Sequence, residues 1–189
     1  SAAELIAVKW SDAKIGVIYD SSDPYSTGIY NGFKAKAEEL NLNVVIVTSF
    51  TNDTKADLTT QVTQCKDAGA DLVFMPFYYT EASQAITCAN RIGYSPIFFG
   101  CDGMDGILTV EGFDKTLAEG LVLMTPFDPN ATDEATVSFV TKYKEQNGGQ
   151  EPNQFAADGY DCIYAIYYAL TEAGLDGTAS HEEICAALV

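Results

Sequence analysis

KIGVIYDSSDPYSTGIYNGFKAKAEELNLNVVIVT, residues 14–48, contains two β-branched runs, Lys14–Tyr19 and Asn43–Thr48, on either side of a helical pattern. Between them, Asp23 stands where an N-cap carboxylate would and Pro24 at the first helical position, which needs no amide donor. Ile29, Phe33, Ala37 and Leu40 then recur on one helical face. The unit is strand, crossover helix, strand. It repeats along the chain, with further strands predicted at Asp71–Pro76, Pro96–Phe99 and Gly120–Met124. Successive strand starts lie 29, 28, 25 and 24 residues apart. Near-continuous apolar strands at this spacing predict a mostly parallel, five-stranded sheet covered by helices on both faces, a three-layer α/β/α lobe.

The crossovers carry their own signals. Thr54, with Asp57 three residues on, is expected to open a second helix whose buried stripe is Leu58, Val62 and Cys65. Thr80 is expected to cap a third, with Ala82, Ile86 and Ala89 as its stripe and Gly93 as its stop. The Gly-rich connection Asp102–Glu119 predicts only a brief helix around Asp105–Val110. Beyond Met124 no strand pattern follows. The stiff segment Thr125–Pro129 leads into helices predicted at Thr132–Asn147 and Asn153–Ala173, and Ser180 with Glu183 forms a capping box for a last one. These changes divide the chain into an α/β lobe, residues 1–128, and a helical segment, residues 129–189. The body of the Asn153–Ala173 helix, from Tyr160 to Leu170, is too apolar and aromatic to stand in water. It is expected to be covered by this lobe or by a second copy of the chain.

Composition narrows the function. Of the 189 residues, 27 are Asp or Glu and 10 are Lys or Arg, a net charge of −17 that repels phosphate backbones and anionic lipid headgroups. No nucleic-acid role is therefore expected. The longest unbroken apolar stretch, Cys162–Leu170, falls well short of the roughly 18 residues that a membrane span requires. No basic segment followed by an apolar run opens the sequence, so no signal peptide is read in it. Five cysteines without a CxxC spacing and a single histidine, His181, point to no metal site. The cysteines read most simply as small buried apolar residues, with a disulfide left open but unassignable.

In open parallel sheets, ligands bind beyond the carboxyl ends of the strands. The loops there supply Tyr25, Phe50, Tyr78, Tyr79 and Phe127 as walls. They also supply the carboxylates of Asp20, Asp23, Glu81 and Asp102 and the hydroxyls of Ser21, Ser22, Ser26 and Thr51. An aromatic cleft holding an acid suits a small ligand with an apolar body and a cationic group. Ser26, Thr27 and Gly28 resemble a phosphate-binding turn of flavodoxins, but Asp20 and Asp23 would repel the phosphate and Pro24 removes a donor. The segment from Asp128 starts like a calcium loop yet has Asp133 where glycine is needed. No nucleophile–histidine pair is placed, and Asp102 with Asp105 has no reason to act as an acid–base couple. No enzyme is expected.

Four segments in order, KIGVIYDSSDPYSTGIYNGFKAKAEELN, DLVFMPFYYTEASQAI, PIFFGCDGMDG and AEGLVLMTPFDP, resemble the second lobe of periplasmic-type (type I) solute-binding proteins for branched-chain amino acids. The resemblance runs from about Ala3 to Val189. It implies an extracytoplasmic binding component of an ABC importer, in the periplasm or as a cell-surface lipoprotein, that delivers an amino acid to a membrane permease. It implies no cofactor, and that this chain supplies one of two lobes, with the ligand held between them. Tyr25 matches a cleft-lining aromatic, and Tyr78 a tyrosine that contacts the ligand. Asp102 matches the acid that receives the ligand's α-ammonium, where many relatives carry Glu. Phe155 matches an aromatic that packs on the ligand from the other lobe. The helices after residue 129 are implied to pack largely on that other lobe. Two alternatives stand beside this reading: a ligand-sensing receptor domain of the same fold, and a flavodoxin-like FMN protein.

Overall fold

The computed structural model describes residues 1–189, which form two compact units, Ser1–Thr125 and Pro126–Val189. The first unit is built on five strands: β1 (Ile15–Asp20), β2 (Val44–Phe50), β3 (Leu72–Met75), β4 (Ile97–Gly100) and β5 (Val122–Leu123). They lie in the order β2-β1-β3-β4-β5, and every pairing is parallel. Each predicted strand is present. The last, however, is reduced from the expected Gly120–Met124 to two residues that pair with Phe99 and Gly100.

Four helices complete the unit: α1 (Ala2–Lys9), α2 (Pro24–Glu39), α3 (Thr59–Asp67) and α4 (Tyr79–Arg91). Strand side chains alternate between the sheet faces, and each face has its own core. Ile15, Val17, Leu72, Phe74 and Phe99 pack with Ala3, Ile6, Phe33 and Ala37 of α1 and α2. Ile18, Val73, Met75 and Phe98 pack with Leu58, Val62, Cys65, Ala82, Ile86 and Ala89 around α3 and α4. Leu72, Val73, Phe74 and Met75 are all fully buried, so β3 is sealed on both faces. Gly16 lets α3 approach: a Cβ there would stand 2.9 Å from Cys65 Sγ and 3.2 Å from Ala70 Cβ.

Several local expectations are corrected. Helix α1 was not foreseen; Ser1 and Glu4 form its capping box. Thr54 does not open α3. Its hydroxyl accepts the Thr51 N–H in a turn, and the helix begins at Thr59 after the uncapped Leu58. Asp57 instead takes the N–H and hydroxyl of Thr59. This local bond competes with a helical start at Thr54. Nor does Thr80 cap α4; the chain enters at Tyr78, with Thr80 already inside the helix. The single brief helix expected around Asp105–Val110 is replaced by 3-10 turns at Asp102–Met104, Ile107–Thr109 and Lys115–Ala118.

The second unit holds α5 (Glu134–Gln146), α6 (Gln154–Glu172) and α7 (His181–Ala187), with Asp133, Asn153 and Ser180 as caps. Within it, Phe139 meets Phe127 and Tyr160 with ring centroids 6.0 and 4.8 Å apart. The aromatic body of α6 is otherwise uncovered: Ile163, Tyr167 and Tyr168 are 66%, 59% and 58% exposed. No helix is long and apolar enough to cross a membrane.

All five cysteines are free. Cys65, Cys88 and Cys101 are buried as expected, whereas Cys162 and Cys185 are exposed, which corrects the reading of all five as packing residues. Burial pushes the Cys65 and Cys101 thiols up to about 12. Reaction of the native protein with a chromogenic thiol reagent at pH 8 is expected to consume two equivalents fast, with the other three reacting only on unfolding. Five fast equivalents would contradict the burial. A second expectation concerns Tyr94, whose hydroxyl donates to the Ala70 carbonyl at 2.7 Å. Burial, then the nearby Cys65 and Asp71, raise it well above the ordinary tyrosine range. The folded state therefore keeps a proton that the unfolded chain releases, so this contribution is complete below about pH 10 and is lost as pH rises above it. Denaturant midpoints measured from pH 8 to 11.5 should fall less steeply in Tyr94→Phe than in the parent.

Candidate functional site

The sheet order sends the first crossover outward from β1 to β2, and the second returns past β1 to β3. The carboxyl ends of β1 and β3 thus flank a switch point, the place where open α/β sheets leave a crevice. Three of the candidate residues sit just beyond the strand ends around it: Tyr25 after β1, Tyr78 after β3 and Asp102 after β4.

Short-range bonds set the first loop. Asp20 accepts the N–H and hydroxyl of Ser22 at 2.8 and 2.6 Å. Ser22 Oγ accepts the Asn52 N–H at 2.9 Å, and Ser21 Oγ donates to the Phe50 carbonyl at 3.0 Å, tying this loop to the end of β2. Asp23 caps α2 by accepting the Ser26 N–H at 3.0 Å, with Pro24 next as anticipated. Ser26 is fully buried, and its Oγ accepts the Asp20 N–H at 2.8 Å. The amides of Ser26 and Thr27 are both committed to Asp23, so the turn resembling a phosphate loop has spent those donors.

This start of α2 places Tyr25 beside the other two residues. Its ring stacks on Tyr78, with centroids 5.0 Å apart and planes 24° from parallel. Its hydroxyl donates to Asp102 Oδ1 at 2.8 Å and accepts the Gly103 N–H at 2.8 Å. Burial first, and the bond to Asp102 second, hold the Tyr25 hydroxyl protonated well above the ordinary tyrosine range. Tyr78 is likewise raised, by partial burial and then by the carboxylates of Asp23 and Asp102. Asp102 opens a 3-10 turn directly after β4 and is partly buried; its Oδ2 makes no hydrogen bond within the chain. The result is a carboxylate with one oxygen fixed and one open, against two stacked phenols.

On the side of Tyr78 toward β2 lies a cavity of about 190 Å³, lined by Asp20, Asp23, Tyr78 and the Lys55–Glu81 ion pair, whose charged atoms are 3.3 Å apart. Not every expected wall belongs to the site. Phe50 is 2% exposed and meets Phe77 edge to face at 5.1 Å, so it is core, although it closes the floor of that cavity. Tyr79 opens α4 and packs against the core around α3 and α4. Ser21, Ser22 and Ser26 hold the loops together, and Thr51 turns with Thr54. Phe127 packs on Phe139 and Phe155 lies on α6, both within the second unit. Reading the sequence missed Gly103, whose amide anchors Tyr25, and Lys55, which balances Glu81. Neither has a sequence signal beyond its residue type, because each partner is distant along the chain.

A family model described as periplasmic binding protein matches residues 1–188. The chain is 28% identical over 169 residues to Leu/Ile/Val-binding protein homolog 8 of Brucella abortus, covering 84% of this chain and 40% of that protein. Homolog 7 from the same organism is 28% identical over 181 residues, with 93% and 45% covered. The crystal structure of a leucine-binding protein, LivK, from Thermotoga maritima superposes with a TM-score of 0.76 at 26% identity, covering 99% of this chain and 53% of that one. A second likeness, in fold alone, is to LivJ of Streptococcus pneumoniae, solved with isoleucine (TM-score 0.75, 22% identity, 97% and 50% covered). The chain spans about half the length, or less, of these relatives. With a family model matching nearly its whole length, this chain belongs to the periplasmic binding protein family.

Proposed function

We propose that this chain supplies one wall of a binding site for a small amino acid, branched-chain or similar, within an extracytoplasmic solute-binding protein of an ABC importer. The observation that carries the proposal is the Asp102 carboxylate at the end of β4, held at one oxygen and walled by the Tyr25–Tyr78 stack. An ammonium taken out of water needs an opposite charge, or its desolvation outweighs the binding. At about 4 Å and a near-surface effective dielectric, such a pair is worth roughly 4 kcal/mol before desolvation is subtracted. Asp102 receives the ligand's α-ammonium. The two phenols face its apolar body and limit water access. The relatives are about twice as long as this chain, which supports a second wall supplied by another lobe and closure of the two around the ligand. The ligand carboxylate is then held by that other wall, and the closed form is what a membrane permease engages. The net charge of −17 suits a soluble protein outside the cytoplasm and opposes binding to anionic surfaces.

A flavodoxin-like role draws no support from the loop after β1, where the amide donors of Ser26 and Thr27 are satisfied internally. Isothermal calorimetry of the intact protein against the twenty amino acids is expected to show binding of one or more aliphatic members. Asp102→Ala should weaken that binding by roughly 30-fold or more, the range for removing one partner of a desolvated charge pair. Equal affinity in the variant would overturn the ammonium role, and silence across the whole panel would overturn the amino-acid reading.

A further inference from the structure

Aspartate carries its carboxylate on a single methylene, and a free carboxylate turns readily about χ2. A group that must meet an ammonium at one place gains from being fixed before the ligand arrives. In this chain Tyr25 fixes the carboxylate, and Gly103 fixes Tyr25. Tyr25 Oη donates to Asp102 Oδ1 and itself accepts the amide N–H of Gly103, the residue after Asp102, both at 2.8 Å. The three groups close a small ring across 77 residues of sequence. Gly103 is a spatial requirement: a Cβ there would stand 2.7 Å from Tyr25 Oη and 3.0 Å from the ring. A larger residue there forces the phenol or its own turn to shift.

We infer that Tyr25 and Gly103 are positioning residues for Asp102, acting on the ligand through the carboxylate they hold; this rests on the amino-acid reading above. A phenol has one proton to donate, and that of Tyr25 is already given to Asp102. Its hydroxyl therefore offers the ligand no donor, and its direct contact with the ligand is through the ring. Asp102 presents Oδ2 as the open acceptor, so the site selects a ligand carrying an ammonium at that point over one carrying a hydroxyl.

The test is a double-mutant cycle on the intact protein, read by calorimetry with L-leucine and its 2-hydroxy analogue, together with the ¹³Cζ resonance of Tyr25. Tyr25→Phe keeps the ring and its stacking. It is expected to weaken L-leucine binding about 5- to 10-fold, the worth of one net hydrogen bond, and to narrow the preference for leucine over the hydroxy acid. In an Asp102→Asn background the same change should cost nothing further, and Gly103→Ala should imitate Tyr25→Phe. The Tyr25 resonance should move on Asp102→Asn without ligand. Unchanged affinity in Tyr25→Phe, an equal loss in both backgrounds, or a Tyr25 resonance indifferent to Asp102→Asn would each overturn the positioning role while leaving the amino-acid reading intact. No binding of leucine by the parent protein, with the resonance still responsive, would overturn the leucine-type site and with it this role.

Discussion

Burial of the central strands on both faces is the constraint from which the remaining structure follows. With Leu72, Val73, Phe74 and Met75 of β3 all fully buried, neither sheet face has room for solvated chemistry. Polar groups are pushed to the strand ends, where backbone donors and acceptors leave the ladder and need partners. The order β2-β1-β3-β4-β5 adds the rest, because reversal of the winding between β1 and β3 separates the first two crossovers and opens a crevice there. Tyr25, Tyr78 and Asp102 meet because three buried strands end side by side.

At that edge most of the polar inventory holds the scaffold. Ser21, Ser22, Ser26 and Asp23 tie the loops after β1 and β2 and cap α2, which fixes the angle at which Tyr25 leaves the helix. Asp102, held at Oδ1 by the Tyr25 hydroxyl, keeps Oδ2 with no hydrogen bond in the chain. A site whose acid is held in place loses little on reorganising when a charged ligand arrives, a condition for discriminating one small solute from another. The second unit shows the opposite economy: the aromatic side of α6 is exposed over Ile163, Tyr167 and Tyr168. That surface is unlike the outside of a self-sufficient small domain.

Legibility in the sequence followed the range of the interactions. Strand positions, the Asp23-Pro24 start of α2, the Ser180–Glu183 capping box and the stripe Leu58, Val62 and Cys65 rest on periodicity and neighbouring residues, and the structure keeps them. α3 starts at Thr59 and not at Thr54 because Asp57 satisfies Thr59 locally and Thr54 turns back on Thr51, local bonds that compete with a helical start. Phe50 was read as a wall and Cys162 and Cys185 as core because residue type reports average burial, not the burial at one place.

The sequence by itself determined the alternation of strands and helices, the parallel sheet and the loops at which a site would sit, since all of these follow from apolar period and local caps. It also put Tyr25, Tyr78 and Asp102 on the list of residues to watch. Only the tertiary structure decided that the Tyr25 hydroxyl is spent on Asp102, that Gly103 makes room for it, and that Lys55 answers Glu81. Those contacts join residues 26 to 78 positions apart. Nothing in the local pattern of a chain encodes which distant groups its folding brings into contact.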